Sequence, residues 1–136
     1  MSVSVNKKVQ DLSSKDKSGG SIKVYESVIS SIVRKSVLGT EGVVRFAGNS
    51  LVDNIAEFVG SKTMQDRAIA VEMGERSVSV IVQLVLVYGV YIPDVASKVQ
   101  HAVKEQVQEL TGMTVEKVDV IVMDIEQVEK DEEAAE

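Results

Sequence analysis

Apolar and polar residues alternate over Ser21–Tyr25 (S-I-K-V-Y), which predicts a short first strand. The period then changes. Within Glu26–Leu38, Val28, Ile29, Ile32 and Val33 fall in an arc of roughly 140° at the helical step of ~100° per residue, with Tyr25 and Ser36 inside it. Arg34 and Lys35 lie off that arc in the last turn, where positive charge suits the helix dipole. Gly39 is the expected cap of this first helix. Val43–Ala47 reads as a second short strand ended by Gly48, and Leu51, Ile55, Phe58 and Val59 share one face of a helix over Leu51–Val59.

Ala68–Met73 and Ser77–Tyr88 flank the short loop Gly74-Glu75-Arg76, the pattern of a β-hairpin. In the second arm Val78, Val80, Val82, Leu84 and Leu86 form an unbroken apolar face. The opposite face, Ser77, Ser79, Ile81, Gln83, Val85 and Val87, starts polar and ends apolar. A strand apolar on both faces toward one end is central there, or lies under a partner. Pro93 fits the first turn of a second helix that runs to Leu110 or Thr111. Val95, Val99, Ala102, Val103, Val107 and Leu110 make its buried face, and Gly112 caps it. Val115–Ile125 alternates again as the last strand. The order β-α-β-(α)-β-β-α-β predicts a small α+β domain, a mixed sheet with two main helices on one face.

Composition narrows the chemistry. The chain has 136 residues, 44% of them apolar and 4% aromatic. Valine makes up about a fifth of it, which favours sheet. The absence of Cys excludes disulfides, zinc-thiolate sites and thiol nucleophiles. The net charge of -6 is uneven. Residues 1–20 hold four Lys against two Asp and read as a flexible N-terminal arm. Residues 126–136 hold six acids against Lys130 and read as an acidic tail. The domain proper, 21–125, is close to balanced and has no basic stripe, so nucleic acid is not an expected partner. The longest apolar stretch, Val78–Val90, is shorter than the ~20 residues a spanning helix needs, and Ser79 and Gln83 interrupt it. No signal peptide follows Lys7 and Lys8. The expectation is a cytoplasmic protein without direct membrane insertion, at most peripheral to the membrane through a partner.

No catalytic, metal-binding or cofactor-binding constellation stands out. His101, the sole histidine, falls opposite the apolar arc of its helix and reads as a surface residue. The pairs Glu72/Glu75 and Glu105/Glu109 lack a third ligand at a telling spacing. Ser27, Ser30 and Ser31 lack an activating base. Lys23, Arg34, Lys35 and Arg45 fall near the first helix without stacking aromatics among them. The segment Tyr88-Gly89-Val90-Tyr91-Ile92-Pro93 is more informative. Gly89 permits a sharp bend, and two tyrosines flanking a bend either fill the core edge or offer an amphipathic contact surface. Tyr88, Gly89 and Tyr91, with Gln83 on the strand before them, are the candidate protein-contact residues.

The run Leu86-Val87-Tyr88-Gly89, Ile92, Val95-Ala96, Val99-Gln100, Val103, Val107, Thr111-Gly112-Met113, Val115 and Val118-Asp119-Val120 resembles the signature of the bacterial alkaline shock / envelope stress response protein family. Gly20-Ser21-Ile22-Lys23-Val24 and Gly42-Val43-Val44 resemble its opening strand and the Gly-Val after its first helix. The resemblance covers roughly 20–125. It implies a small cytoplasmic protein with no enzymatic activity and no catalytic residues to carry over. It further implies a link to envelope stress or lipid-synthesis loci, self-association, and in some members a separate membrane-anchor protein. The expected function is a non-catalytic scaffold or adaptor that forms homo-oligomers and binds protein partners. The alternatives are a small regulator binding an enzyme or metabolite of lipid synthesis and, behind it, a nucleic-acid-binding module.

Overall fold

The computed structural model describes residues 9–13, 18–48 and 68–128. Its elements are β1 (Val9–Asp11), β2 (Lys23–Tyr25), α1 (Glu26–Leu38), β3 (Val43–Phe46), β4 (Ile69–Gly74), β5 (Ser77–Val87), α2 (Ile92–Thr111) and β6 (Thr114–Glu126). The α+β class and the mixed sheet with two helices on one face are as the periodicities predict. The helix read over Leu51–Val59 and the acidic residues 129–136 lie outside the described residues.

β5 is the centre of the main sheet. β6 runs parallel to it over its whole length, from Ser77↔Thr114 to Val87↔Glu126. β4 is antiparallel to the first part of β5, from Gly74↔Ser77 to Ile69↔Val82. β3 is antiparallel to the last part, from Phe46↔Leu84 to Val43↔Leu86. A strand has two edges, so β4 and β3 must share one. The handover falls at Gln83, whose N–H donates to Ala68 C=O and whose C=O accepts from Ala47 N–H, both at 2.9 Å.

Among the described residues the far edge of β6 has no ladder partner. That edge is irregular. Glu116 and Met123 are extra residues opposite β5, each making a bulge, and the N–H of Ile125 donates to the carboxylate of Asp124 at 2.8 Å. Bulges and charged side chains are how natural sheets blunt a free edge.

The alternation in β5 puts Val78, Val80, Val82, Leu84 and Leu86 on the helix side, all buried. α1 contributes Ile29, Val33 and Val37 to the same cluster, and α2 contributes Val95, Val99, Val103 and Val107. The stripe of α1 is rotated from the predicted arc. It follows positions 29, 33 and 37 and takes in Ser30, while Val28 faces out. Val37 decides this, because an i, i+4, i+8 row of branched residues covers three turns and the 28/32 row covers two. Leu110, predicted inside, is exposed at the last turn of α2.

The first predicted strand forms, over Lys23–Tyr25, but outside the main sheet. It pairs antiparallel with β1, from Val9↔Tyr25 to Asp11↔Lys23. β1 falls within the stretch read as an arm, so that reading does not extend to residues 9–13. Here the buried Gln10 acts as a surrogate peptide group for the β4–β5 turn. Its amide donates to Gly74 C=O, and its carbonyl accepts from Arg76 N–H at 3.0 Å. Arg76 in turn donates through Nη2 to Ser13 C=O at 2.7 Å. Gln10→Ala strands two backbone groups at this junction. It is expected to cost about 1–2 kcal/mol in urea denaturation, with faster amide exchange in β1 and β2 than in β5. An unchanged midpoint would mean that water replaces the amide without penalty.

Candidate protein-contact surface

The C-terminal ends of β5 and β6 finish side by side, and Tyr88 N–H donates to Glu126 C=O at 2.8 Å. Gly89 then turns the chain at φ 104°, a left-handed conformation that glycine adopts without a Cβ penalty. Tyr91 is the N-cap of α2, Pro93 stands in its first turn, and Asp94 C-terminal to it supplies the favourable negative charge. This turn leaves Tyr88 63% and Tyr91 74% exposed. Both rings therefore face outward and neither fills the core edge.

Neighbours extend the surface. Ile92 on the same turn, Ile125 opposite Leu86 and Val128 just past β6 are also exposed. The sequence reading missed these three because a strand's end and a helix's first turn look like core positions by periodicity alone. The signal available was the continuous apolar run Val120–Met123 in β6, which leaves more apolar side chains than one covered face can hold. Gln83 is not brought to this cluster. It lies mid-strand at the β4–β3 handover, and its backbone is what the fold uses.

Beside this end, Arg45 on β3 reaches across β5 to Glu126 on β6, with Nη2 2.5 Å from Oε2. Arg45 is in register with Val85 and Glu126 with Val87, so the pair arches over the outer face of β5 where Val85 is buried. Both partners are more than a third exposed, which limits such a pair to about 1 kcal/mol or less. It acts chiefly as a clasp between the two flanking strands.

The other candidates do not converge. His101 Nε2 lies 3.6 Å from Glu105 Oε1 on the outer side of α2, both side chains well exposed. Among the described residues no three His, Asp or Glu side chains gather to hold a metal ion. Lys23 pairs with Asp11 at 3.7 Å and Arg45 with Glu126, so these basic residues near α1 are engaged with acids and form no stripe. A groove of about 490 Å³ runs between α1 and α2, lined by Ile32, Lys35, Gly39, Ala102, Gln106 and Leu110 among others. It is open and carries one charged group. Among the described residues no helix is long and apolar enough to cross a membrane.

Comparison with known proteins gives a consistent picture. The model of the alkaline shock protein 23 family, of cell envelope-related function, matches residues 14–127. An uncharacterized protein, Spy1614, of Streptococcus pyogenes serotype M6 is 29% identical over 109 residues, covering 80% of this chain and 90% of its own. A stress response regulator gls24 homolog of Streptococcus pyogenes serotype M3 is 26% identical over 111 residues. That match covers 82% of this chain and 62% of the relative, which is the longer protein. The uncharacterized protein YqhY of Bacillus subtilis is 22% identical over 107 residues, 79% of this chain and 78% of its own. No solved structure matches.

Proposed function

This chain belongs to the alkaline shock protein 23 family, whose function is cell envelope-related, and from that premise we propose that it is a non-catalytic scaffold or adaptor of the envelope stress response. It works by binding copies of itself and protein partners, and it reaches the envelope through a membrane-anchored partner. The observation that carries this reading is the aromatic and aliphatic surface at the end of β5 and β6. Tyr88 and Tyr91 are both exposed there, with Ile92, Ile125 and Val128 exposed at the same end of the sheet. Tyrosine is over-represented among residues that dominate binding energy, because it buries a large apolar ring and keeps a hydroxyl for water or a partner.

Contact is what these exposed residues offer, and relatives named as stress response regulators are consistent with that. Sedimentation velocity tests the reading. The weight-average mass of the full chain is expected to rise with concentration up to tens of micromolar, the range of ordinary weak association at about -6 to -7 kcal/mol. Tyr88→Ser with Tyr91→Ser should weaken that association about tenfold or more, the effect of removing a central aromatic pair. A single chain at every concentration, with no partner retained from a membrane extract, would remove the reading.

A further inference from the structure

α1 and α2 pack side by side, the end of α1 meeting the start of α2 where Gly42 faces Val95. The groove of about 490 Å³ between them runs from Ser31 and Leu110 toward Thr40 and Ala102. Thr40 and Ala102 also line a second hollow, with Glu41, Ser97 and His101, so the two form one continuous trough. Along α2 it extends from Ser97 to Leu110, thirteen residue steps or roughly 20 Å at ~1.5 Å each.

The hydroxyls on its floor are already committed. Ser36 Oγ donates to Ile32 C=O at 2.8 Å, and Thr40 Oγ1 donates to Ser36 C=O at 3.0 Å. Ile32, Ala102 and Leu110 then present an apolar row, and Leu110 is 64% exposed. A small ligand needs most of its surface enclosed, which a trough this open does not provide. A helix laid lengthwise is held from both sides, with anchors three or four residues apart along its apolar face.

Charge narrows the occupant. On α2, Lys98 pairs with Asp94 at 3.3 Å and His101 lies 3.6 Å from Glu105, each within its own helix. Of the charged residues lining the trough, Lys35 and Glu41 have no ion-pair partner among the described residues. Both stand on the α1 side, six residues apart, and call for an acid and a base about two turns apart on one flank of the occupant. The described helices of a second copy have no such face to offer. α1 spends Ile29, Val33 and Val37 on the core, and α2 spends Val95, Val99, Val103 and Val107.

We propose that the trough between α1 and α2 seats an amphipathic helix of a partner protein, its apolar row on Ile32, Ala102 and Leu110, an acidic side chain at Lys35 and a basic one at Glu41. The inference rests on the adaptor reading above and gives the partner a chemistry and a place. That place is separate from the tyrosine surface. Tyr91 and Gln106 are fifteen steps apart along α2, roughly 22 Å, so an adaptor can hold two things at once.

The probe is a synthetic helical peptide of about 16 residues, ~24 Å long. It carries leucines at i, i+4, i+7 and i+11, with a Glu and a Lys seven positions apart beside them, made in both orders. Fluorescence anisotropy reads its affinity for the full chain. One order is expected to bind with a Kd of roughly tens of micromolar. A peptide of the same composition with its leucines scattered around the helix should bind about tenfold more weakly or worse. Leu110→Ser should weaken binding about tenfold. Lys35→Glu should weaken it about fivefold, and exchanging the peptide's Glu for Lys should restore affinity for that variant alone. Both side chains are exposed, so the fold is retained, as circular dichroism checks. No binding up to about 1 mM, equal binding of the scattered peptide, or indifference to both substitutions overturns the helix site. Decanoate that binds the chain where neither peptide does would make the occupant a small amphiphile, and self-association lost in Leu110→Ser would make it a second copy; either result overturns it too. The adaptor reading survives all of these, because sedimentation of the Tyr88→Ser, Tyr91→Ser chain tests it separately.

Discussion

Replacing Leu84 with alanine is expected to lower the free energy of unfolding by about 3–5 kcal/mol. Leu84 is fully buried on the helix face of β5, in register with Phe46 on one side and Val122 on the other. Its side chain sits where the central strand is flanked by β3 and β6 and roofed by both helices. Truncation there loses the transfer energy of the removed carbons and leaves a cavity that two flanking strands and two helices cannot all close. Urea denaturation followed by circular dichroism measures the loss. Ile121→Ser, on the exposed outer face of β6, should stay within about 1 kcal/mol of the unaltered chain. Similar costs for the two substitutions would mean that the outer face is as closed as the inner one.

Gly42→Ala is the second, at about 2–6 kcal/mol from backbone strain and overpacking together. Gly42 has φ 103° and lies in the turn between α1 and β3, where its C=O accepts from Val87 N–H at 2.9 Å. A Cβ there would lie 2.9 Å from Cγ2 and 3.2 Å from Cγ1 of Val95. The cost combines backbone strain of about 1–3 kcal/mol with overpacking of about 1–3 kcal/mol against a buried side chain at the start of α2. The contributions separate experimentally. Gly89 has nearly the same φ, 104°, and open space where its Cβ would be, so Gly89→Ala should cost only the strain. Adding Val95→Ala to Gly42→Ala should return part of the loss, with a coupling of about 1 kcal/mol or more. Equal costs at the two glycines, or no coupling to Val95, would remove the contact from the explanation.

These two positions also mark what periodicity conveys and what it does not. The long alternation of β5, the 95/99/103/107 stripe of α2 and the Gly74-Glu75-Arg76 loop are patterns with one solution each, and the chain adopts them with boundaries within about two residues. The rotation of α1 was not legible. Val28 and Ile32 are as apolar as Ile29 and Val33, and the third apolar turn that Val37 adds to the covered row lies outside the four-residue arc read from the sequence. β1 was not legible either, because a strand of three residues, Val9–Asp11, is too short to show a period. What fixes it is a long-range bond from Gln10 to a turn more than sixty residues away, and no local pattern carries that. The exposed cluster at the end of β5 and β6 was half legible. Tyr88 and Tyr91 drew attention as aromatic residues around the bend at Gly89, while the exposed Ile125 and Val128 came to the same end of the sheet only once β6 was placed parallel to β5.

The bulged border of β6 bears on how any assembly of this protein comes apart. Extra residues at Glu116 and Met123, and an amide at Ile125 satisfied by its own neighbour, leave no long uninterrupted row on which a foreign backbone could template itself. Backbone pairing along this border is therefore limited to short stretches. An added strand would find no more than a few regular positions in a row there before the backbone register breaks.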